Sequence, residues 1–439
     1  MKKFDKKIGI YEILKSFSYS MDLISDTVVG HHNKVAYISL ELGREMNLTE
    51  TKLKKLVISA LIHDLGVFYL HQTFSDLSFD SRSNHHAEIG YQLLKKSSPI
   101  ADIPGIIRYH HHEWNENDND EIPILSNILH LADRIAVLIR DDSPILSQKE
   151  RIKEIIKKNK KTRFCPKGVE KFLKISVRED FWLNIISPTR IEKKLDKFFQ
   201  PPIWLIDFNE VLKISNLISH IIDFRSSFTA THSEGIASIS SHLSKYLNFN
   251  KEEQRKMKIA GYLHDIGKLV VPPQILNKPG KFTSEEWNIM KTHTYYTYQA
   301  LSTSKNLNTI KEWAAYHHEK LNGSGYPFHL NEDQLPLGSK IMGVADVFTA
   351  ITEERPYRKG MDTSQAKSIL NDMALNKELD DNLVGIILEN FEEFNEIRKE
   401  VQNKTKQQFN KFNEKTESIV KSLMKKPYSS DRTEVLKED

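Results

Sequence analysis

Histidine and aspartate side chains recur along this chain in an order that suits metal binding. Neutral imidazole nitrogens are the commonest protein ligands for transition metals, and imidazole with carboxylate but no thiolate suits Fe, Mn, Zn or Ni. Two ions that share a carboxylate favour in-line attack on phosphorus. The pattern therefore indicates a dinuclear site suited to phosphate esters. The candidate ligands are His232, His264, Asp265, His293, His317, His318 and Asp346.

A glycine-rich turn follows the last pair of these histidines. It begins after Glu319 and contains Gly323-Ser324-Gly325-Tyr326-Pro327. Glycine allows a backbone to approach a ligand closely. We therefore expect this turn to lie beside the metal site and to contact a substrate.

The same order of candidate ligands occurs earlier in the chain. His31 precedes His63-Asp64 by 32 positions, and His232 precedes His264-Asp265 by the same 32. His86 then corresponds to His293, the triplet His111-His112-Glu113 to His317-His318-Glu319, and Asp133 to Asp346. The chain is therefore interpreted as a duplicated module. The second set of candidate metal ligands is His31, His63, Asp64, His86, His111, His112 and Asp133.

The elements that must position these ligands are predicted to be helices. Apolar residues repeat at i, i+3 and i+7, which marks one buried helix face, and no long run alternates apolar with polar residues. The pairs Asn250–Glu253 and Thr283–Glu286 predict capping boxes, and Gly267 is expected to end the helix that begins after Asn250. The fold class is therefore all-α, with two helical bundles in tandem joined by a helical connector. The matched apolar positions are Val35, Ile38 and Leu42 in the first copy and Ile236, Ile239 and Leu243 in the second.

We expect four segments. Residues 1–140 form the first bundle, 141–210 the connector, 211–400 the second bundle, and 401–439 a C-terminal helix with a disordered tail.

Composition narrows the class of protein. The 439 residues allow two or three domains. A net charge of +4 is too small to indicate bulk nucleic-acid binding. The single cysteine, Cys165, excludes a disulfide framework within the chain and a cysteine-based zinc site. No apolar run is long enough for a membrane span, so the sequence predicts a soluble cytoplasmic protein.

Residues 228–360 resemble the HD-GYP group of the HD metal-dependent phosphohydrolases. The resemblance implies an all-helical HD fold that hydrolyses a cyclic dinucleotide, either cyclic di-GMP or 3'3'-cyclic GMP-AMP, by attack of a hydroxide that bridges two metals. The product is a linear dinucleotide, and further cleavage to mononucleotide is left open. The matching segments are Thr231-His232-Ser233, His264-Asp265-Ile266-Gly267-Lys268, Lys278-Pro279-Gly280-Lys281-Phe282-Thr283, His293, His317-His318-Glu319, Gly323-Ser324-Gly325-Tyr326-Pro327, Ala345-Asp346 and Arg355-Pro356-Tyr357-Arg358.

The resemblance also implies roles for the ligands. His232, His264 and Asp346 hold one divalent ion, and His293, His317 and His318 hold the other. Asp265 bridges the two ions, which are Fe or Mn in preference to Zn, Ni or Mg. Asp265 and Lys268 are the expected catalytic residues, with Lys268 near the scissile phosphate. The expected substrate contacts are Lys268, Lys320, Gly323, Gly325, Tyr326, Pro327 and Arg355.

Four positions depart from the pattern of the group. Lys320 stands where Arg is usual, Asn322 where Asp is usual, and Thr349 where an acidic residue is frequent. Lys keeps the positive charge but lacks the planar fork of Arg. Phe228 stands where some members carry a Glu that holds a third metal, so a dinuclear site is expected.

The first copy lacks the groups that would handle a substrate. Val67 occupies the position of Lys268, and the acidic run 114–121 would repel a phosphate diester. The first copy is therefore expected to be a regulatory or dimerising module, with a second catalytic site as the alternative. His85, His110 and His130 have no counterpart in this alignment and are expected at the surface or in packing.

Two other functions stay open from the sequence. The first alternative is a catalytically weak cyclic-dinucleotide receptor or signalling scaffold. The second is another nucleotide phosphohydrolase of the HD type. The expected partners are a small cyclic dinucleotide, a partner signalling protein and a second copy of the chain.

Overall fold

Apolar side chains spaced three and four residues apart drive most of this chain into helices. The computed structural model describes residues 8–23, 30–69, 85–95, 102–114, 123–200, 204–225, 231–354 and 359–425. Within these ranges the predicted all-α fold is confirmed. All six apolar positions that defined the repeat are fully buried. Among the described helices, none is both long enough and apolar enough to span a membrane.

The described residues of the first bundle form six α-helices and one short 3₁₀ helix. The 3₁₀ helix follows the His63-Asp64 pair directly. The helices are α1 (Ile10–Asp22), α2 (His31–Glu45), α3 (Glu50–Ile62), the 3₁₀ helix Leu65–Phe68, α4 (His85–Leu94), α5 (Ile103–Arg108) and α6 (Ile124–Val137).

Four helices form the connector, and they pack on the first bundle. Helices α8, α9 and α10 all contact α2. Trp182 is fully buried there and donates its indole N–H to the carbonyl oxygen of Ser176 at 2.8 Å. The connector is thus helical, as expected, and it packs against the first bundle. Its helices are α7 (Ile145–Lys158), α8 (Pro166–Ile175), α9 (Glu179–Ile185) and α10 (Pro188–Phe198).

The second bundle repeats the first and adds several elements. Both predicted capping boxes are present, at Asn250 with Glu253 and at Thr283 with Glu286. The helices are α11 (Phe208–Arg225), α12 (His232–Tyr246), α13 (Lys251–Leu263), the 3₁₀ helix Ile266–Val270, α14 (Pro273–Leu276), α15 (Ser284–Leu301), the 3₁₀ helix Lys305–Leu307, α16 (Asn308–Ala315), α17 (Leu337–Thr352), α18 (Thr363–Leu375), α19 (Asp381–Glu389) and α20 (Phe391–Lys425).

Helices cross two of the expected segment boundaries. Helix α11 begins at Phe208, and α20 continues without a break past residue 400. The division into four segments stays a prediction. The expected disordered tail lies outside the described residues.

Gly267 does not end a helix, as the sequence suggested. Helix α13 ends at Leu263, and His264 is already its C-cap. Gly267 lies inside the following 3₁₀ helix, where a Cβ atom would collide with the backbone oxygen of His293. Gly66 makes the same close approach to His86 in the first bundle. Each glycine therefore allows two ligand-bearing segments to meet.

The two bundles exchange contacts through their first helices. Helix α1 packs on α15 and on the 3₁₀ helix Ile266–Val270 of the second bundle, and α11 packs on the 3₁₀ helix Leu65–Phe68 of the first. Two short antiparallel strands, β1 (Ile8–Gly9) and β2 (Leu205–Ile206), join the start of α1 to the start of α11. The apolar cores of both bundles merge into one cluster. The segment that carries each His-Asp pair is thus supported by the other bundle.

Candidate metal centre

The seven predicted ligands of the second bundle come from five separate segments. His232 opens α12, His264 and Asp265 follow α13, and His293 lies in α15. His317 and His318 follow α16, and Asp346 lies in α17. The structure brings all seven to one end of the bundle. Only His318 keeps substantial exposure, with 32% of its side chain accessible, so the cluster is open to solvent on that side.

Backbone carbonyl groups orient three of these imidazoles in the same way. The Nδ1 atoms of His264, His293 and His317 lie 2.8, 2.6 and 2.6 Å from the carbonyl oxygen three residues earlier in each case. A carbonyl can only accept, so each Nδ1 carries the proton. Each Nε2 therefore presents a lone pair to the interior of the cluster, as metal ligands do.

Asp265 lies between two groups of ligands. Its Oδ2 atom is 3.0 Å from His264 Nε2, and its Oδ1 atom is 3.5 Å from His293 Nε2. His232, His264 and Asp346 form one group of ligand atoms within 4.8 Å of one another, and His293, His317 and His318 form the other. Ligands bonded about 2.1 Å from one ion lie about 3.0–3.4 Å apart at octahedral or tetrahedral angles. The spacing fits two ions that share the carboxylate of Asp265.

Electrostatics prepare the cluster for cations. Burial lowers the pKa of His293 and of His318 to about 3, so both imidazoles are neutral, which is the form that binds metal. Burial also raises the pKa of Asp265, but the neighbouring His264 and Lys268 outweigh it and hold that pKa well below its usual value. Around Asp265 the cluster thus combines the neutral nitrogens of His293 and His318 with an ionised carboxylate, a donor set that fits a divalent transition metal.

His232 is oriented by a second carboxylate. Its Nδ1 atom is 3.0 Å from Glu353 Oε1, and its Nε2 atom is 3.4 Å from Asp346 Oδ1. Gln402 of α20 donates to Glu353 Oε2 at 3.1 Å. Burial lowers the pKa of His232, but Glu353 and Asp346 outweigh it and raise that pKa to about 10. A bound cation would replace this proton on the Nε2 side.

Lys268 is paired with the central carboxylate. Its ammonium group contacts Asp265 Oδ2, and 17% of its side chain is accessible. It lies one 3₁₀ turn beyond Asp265, on the same segment. A lysine here can neutralise either the bridging carboxylate or a phosphate bound above it.

The first bundle assembles an equivalent cluster, but with a different pair of histidines. His110 and His111, not His111 and His112, occupy the positions of His317 and His318. His110 Nε2 lies 3.4 Å from His86 Nε2, as His317 Nε2 lies 3.4 Å from His293 Nε2, and both pairs are 24 residues apart. The predicted correspondence was one residue out of register.

The sequence does contain a pattern that supports the correct alignment of the two histidine pairs. Tyr109 precedes the pair in the first bundle as Tyr316 does in the second, so Tyr-His-His matches as well as His-His-Glu. His112 lies outside the cluster, with its ring 5.0 Å from the Tyr109 ring. The prediction that His110 is a surface or packing residue was therefore wrong. His130 is buried against the ring of Phe164, as expected for packing, and His85 is half-buried.

An HD domain family matches residues 216–383, and a second HD domain family matches residues 28–138. The chain carries two HD domains in tandem. The resemblance to the HD-GYP group, found from the sequence, is confirmed. We call the two bundles the first and second HD domains from here on.

Relatives of two kinds match the chain. The 3'3'-cGAMP-specific phosphodiesterase 1 of Vibrio cholerae is 28% identical over 395 residues, covering 86% of this chain and 91% of that protein. The 3'3'-cGAMP-specific phosphodiesterase 3 of the same organism is 26% identical, covering 82% and 90%. A cyclic di-GMP phosphodiesterase of Thermotoga maritima is 37% identical, but covers only 38% of this chain and 45% of that protein.

A solved structure has the same fold. The crystal structure of a cyclic GMP-AMP specific phosphodiesterase of Vibrio cholerae aligns with a TM-score of 0.58 and 20% identity, covering 86% of this chain and 96% of that one. At this level of identity the likeness concerns the fold. It confirms two tandem helical HD domains.

The Gly-Tyr-Pro turn of the second HD domain is held by Glu319. This carboxylate is buried and accepts hydrogen bonds from the backbone N–H groups of Phe328 and Leu330 at 2.6 and 2.9 Å. Gly323 has a left-handed φ of +75°, and a Cβ at Gly325 would collide with the backbone of residues 319–320. Both glycines are thus required by the turn itself, and their expected contact with substrate stays a prediction.

Two other residues of the turn make contacts within the protein. Lys320 pairs with Glu378 at 2.6 Å. Asn322 donates its side-chain amide to the carbonyl oxygen of Asn376 at 3.0 Å, a bond that Asp in this position could not donate. Asn322 thus ties the turn to the loop after α18. Its departure from the group has a structural reason.

An aromatic surface adjoins the metal cluster. The Tyr326 ring lies 5.1 Å from the His318 ring and 5.9 Å from that of Trp287. Trp287 stacks with Phe282 at 6.2 Å, and the residue is 42% exposed. We call Phe282, Trp287 and Tyr326 the aromatic platform. It offers flat rings to a ligand that reaches the open side of the cluster.

The sequence did not single out Glu353 or Trp287. Glu353 follows the last turn of α17, seven residues after Asp346, which places it beyond the ligand but on the same segment. Trp287 is an exposed aromatic residue in the first turn of α15, a pattern that could have marked it. Arg355, Phe228 and the acidic run from residue 115 onward lie outside the described residues.

Proposed function

We propose that this chain is a metal-dependent phosphodiesterase that opens a cyclic dinucleotide to a linear one. The observation that carries the proposal is the position of Asp265, whose two oxygens face two separate groups of ligands beside the aromatic platform. Ions bound there would lower the pKa of a coordinated water and offset charge on a phosphate. The names of the relatives support the substrate class.

The substrate we favour is 3'3'-cyclic GMP-AMP. Of three relatives named for it, phosphodiesterases 1 and 3 match over 395 and 423 residues, and phosphodiesterase 2 over 199. The Thermotoga relative named for cyclic di-GMP matches over 171 residues. Cyclic di-GMP is the second candidate. Both substrates have two phosphodiester groups and two purine bases.

The chain's own residues have separate roles in this proposal. Asp265 would hold both ions through its carboxylate, and the ions would supply an activated water for attack on phosphorus. Lys268 lies beside it and offsets charge on the phosphate or on the leaving oxygen. Trp287 and Tyr326 hold one purine base, because every base has a face that can stack on an aromatic ring.

We propose two divalent ions in the second HD domain, with Fe or Mn favoured over Zn, Ni or Mg. His232, His264 and Asp346 would hold one, and His293, His317 and His318 the other. These six residues and Asp265 donate imidazole nitrogen or carboxylate oxygen and no thiolate, which supports this choice. Metal analysis of the purified chain tests the number and the identity.

The decisive experiment uses both candidate nucleotides. Protein loaded anaerobically with Mn or Fe is incubated with 3'3'-cyclic GMP-AMP and with cyclic di-GMP, and products are separated by chromatography. We expect a linear dinucleotide from cyclic GMP-AMP at the higher rate. Binding without hydrolysis of either nucleotide at full metal occupancy would overturn the proposal in favour of a receptor. Asp265→Ala should lose turnover by more than about 100-fold, since even residues that only orient metal ligands cost 10–100-fold.

The first HD domain is proposed to be regulatory or dimerising. Val67 is buried in the position that Lys268 occupies in the second domain, so this position offers no cation to a phosphate. His63→Ala should therefore retain most of the turnover, and a loss as deep as that of Asp265→Ala would assign a catalytic role instead. A homodimer, contact with a partner signalling protein and a cytoplasmic location are further proposals, which light scattering, co-purification and cell fractionation test.

A further inference from the structure

An additional histidine lies in the cluster of the first HD domain. His32 follows the predicted ligand His31 at the start of α2 and is fully buried. Its Nε2 atom lies 3.9 Å from Asp64 Oδ2. The ligand atoms of His32, His63 and Asp64 all lie within 4.8 Å of one another. His31, His63 and Asp133 form a second group of the same size, so His32 borders the predicted ligands through His63 and Asp64.

Asp22 of α1 holds His32 in the orientation of a ligand. Asp22 Oδ1 lies 2.6 Å from His32 Nδ1 and also accepts the backbone N–H of His32 at 3.0 Å. Asp22 Oδ2 accepts a bond from Asn33 at 3.0 Å. A carboxylate on one imidazole nitrogen fixes the tautomer and directs the other nitrogen toward a metal. The arrangement is the same in kind as Glu353 on His232.

The second HD domain has no such residue at the equivalent place. Ser233 stands where His32 stands, and it donates its hydroxyl to Asp223 at 3.0 Å. Asp223 is the counterpart of Asp22, at the same offset of 201. The carboxylate is therefore shared by both domains, and the imidazole is present in the first alone. In the second domain, the ion next to His232 has four donor residues: His232, His264, Asp265 and Asp346. We call this the first ion. The equivalent ion in the first domain has five donor residues.

Arg134 closes the first cluster on its other side. The arginine is buried, and its guanidinium donates to Asp133 Oδ2 from Nε at 3.0 Å and from Nη2 at 2.6 Å. In the second domain the corresponding oxygen of Asp346 faces His318, and the next residue is Val347. Asp133 thus has one oxygen left for the cluster, which lies 3.3 Å from His31 Nε2. An internal cation thus lies against Asp133, where the second domain has the partly exposed His318 against Asp346.

We propose that the first HD domain holds a closed metal site, in which His32 is a fifth protein ligand of the first ion. The donors to that ion are His31, His32, His63, Asp64 and Asp133. Sites that only bind metal have their positions filled by protein, whereas catalytic sites keep a position open. With five donors and a neighbouring arginine, this site retains its ion and does not bind a phosphodiester.

The test measures metal binding in the full chain. In a background of His264→Ala with His293→Ala, which empties the second domain, Co²⁺ is titrated anaerobically and followed by its visible absorption and by metal analysis. Three further changes are made in that background: His32→Ser, which restores the residue of the second domain; Asp22→Asn, which keeps the shape of the side chain; and His112→Ala, a control histidine outside the cluster. Circular dichroism verifies the fold of each.

We expect the background chain to bind Co²⁺, and His32→Ser to lower its affinity at least about tenfold and to alter the absorption spectrum. Asp22→Asn should lower the affinity about 10–100-fold, the usual effect of removing a group that orients a ligand, and His112→Ala should change neither. The proposal fails if the background chain binds no Co²⁺, or if His32→Ser and His112→Ala give the same affinity and spectrum. Hydrolysis by the chain with an intact second domain is independent of all these outcomes.

Discussion

Glu353 shows how much of the site depends on a residue that binds no metal itself. Its carboxylate orients His232, and it receives a bond from Gln402, which Arg398 in turn contacts at 2.6 Å. The order of ligands along the sequence identified the donors, because their spacing repeats. Glu353 and Gln402 lie far along the chain from His232, so the spacing of the ligands did not point to them.

Removal of that carboxylate should weaken metal binding without loss of the fold. Glu353→Gln keeps the size of the side chain but removes the negative charge beside His232 Nδ1. We expect the affinity for the ion on His232 to fall about 10–100-fold, and turnover to recover at high metal concentration. Chelator competition measures the affinity. Glu354→Gln, at an exposed neighbouring position, is the control and should change nothing; equal behaviour of the two variants would contradict the role of Glu353.

The one-residue error at His110 has a related physical cause. Three consecutive histidines, His110 to His112, can be aligned with His317-His318 in two ways. The sequence alone does not determine which imidazoles face the interior of the cluster. The direction of a side chain at the end of a short helix depends on the turn of the backbone. Here the contact of His110 Nδ1 with the carbonyl oxygen of Ile107 at 2.7 Å sets that direction.

At the scale of elements, the 3₁₀ helix after each His-Asp pair requires a glycine, because its backbone packs directly against the neighbouring helix. Gly267 and Gly66 lie where that helix touches the helix that carries the next histidine. The sequence supplied the glycine in both copies, but its proposed use as a helix end was wrong, because close packing and a helix stop favour the same residue.

A methyl group at this contact should be costly. Gly267→Ala forces the backbone of residues 265–268 away from α15, and overpacking of this kind costs about 1–3 kcal/mol. Thermal unfolding should show a lower Tm, and turnover should fall because His293 moves relative to Asp265. Gly385→Ala in α19 meets no atom within 4 Å and should instead stabilise the chain by up to about 1 kcal/mol. A Tm unchanged by Gly267→Ala would refute the contact.

The aromatic platform makes a different kind of prediction. Trp287→Ala removes a stacking surface worth about 1–3 kcal/mol per base, without touching a metal ligand. We expect KM to rise about 5- to 100-fold, with kcat changed little, and metal content to stay constant. Leu375→Ala, an exposed apolar residue of the same domain, is the control. A fall in kcat at constant KM would place the substrate elsewhere.

On the scale of the whole molecule, the two HD domains share one apolar core. Helices α1 and α11 each support the His-Asp segment of the other domain, and Tyr69 of the first domain donates to Asn413 of α20 at 2.7 Å. The duplication was visible in the sequence, whereas this exchange of supporting helices was not. Spacing within a repeat says which residues are equivalent, but it carries no information on how two repeats pack.

The shared core predicts that damage to one domain is felt in the other. Leu61→Ala removes a fully buried side chain of α3, at a cost of about 2–5 kcal/mol. Hydrogen exchange of the amides of α15, in the other domain, should accelerate at least about tenfold. Leu183→Ala, at a position that is 48% exposed, should have no effect. Unchanged protection of α15 in Leu61→Ala would show that the domains unfold separately.

The packing of α1 on the second domain also affects how the chain folds during translation. At a synthesis rate of about 5–20 residues per second, α1 leaves the exit tunnel roughly 15–60 seconds before α15, on which it packs. During that interval the part of its apolar face that contacts α15 has no partner from its own chain. The nascent protein therefore carries in α1 a segment that suits a chaperone which binds emerging chains. The last folding step of the first domain waits for the second domain to be translated.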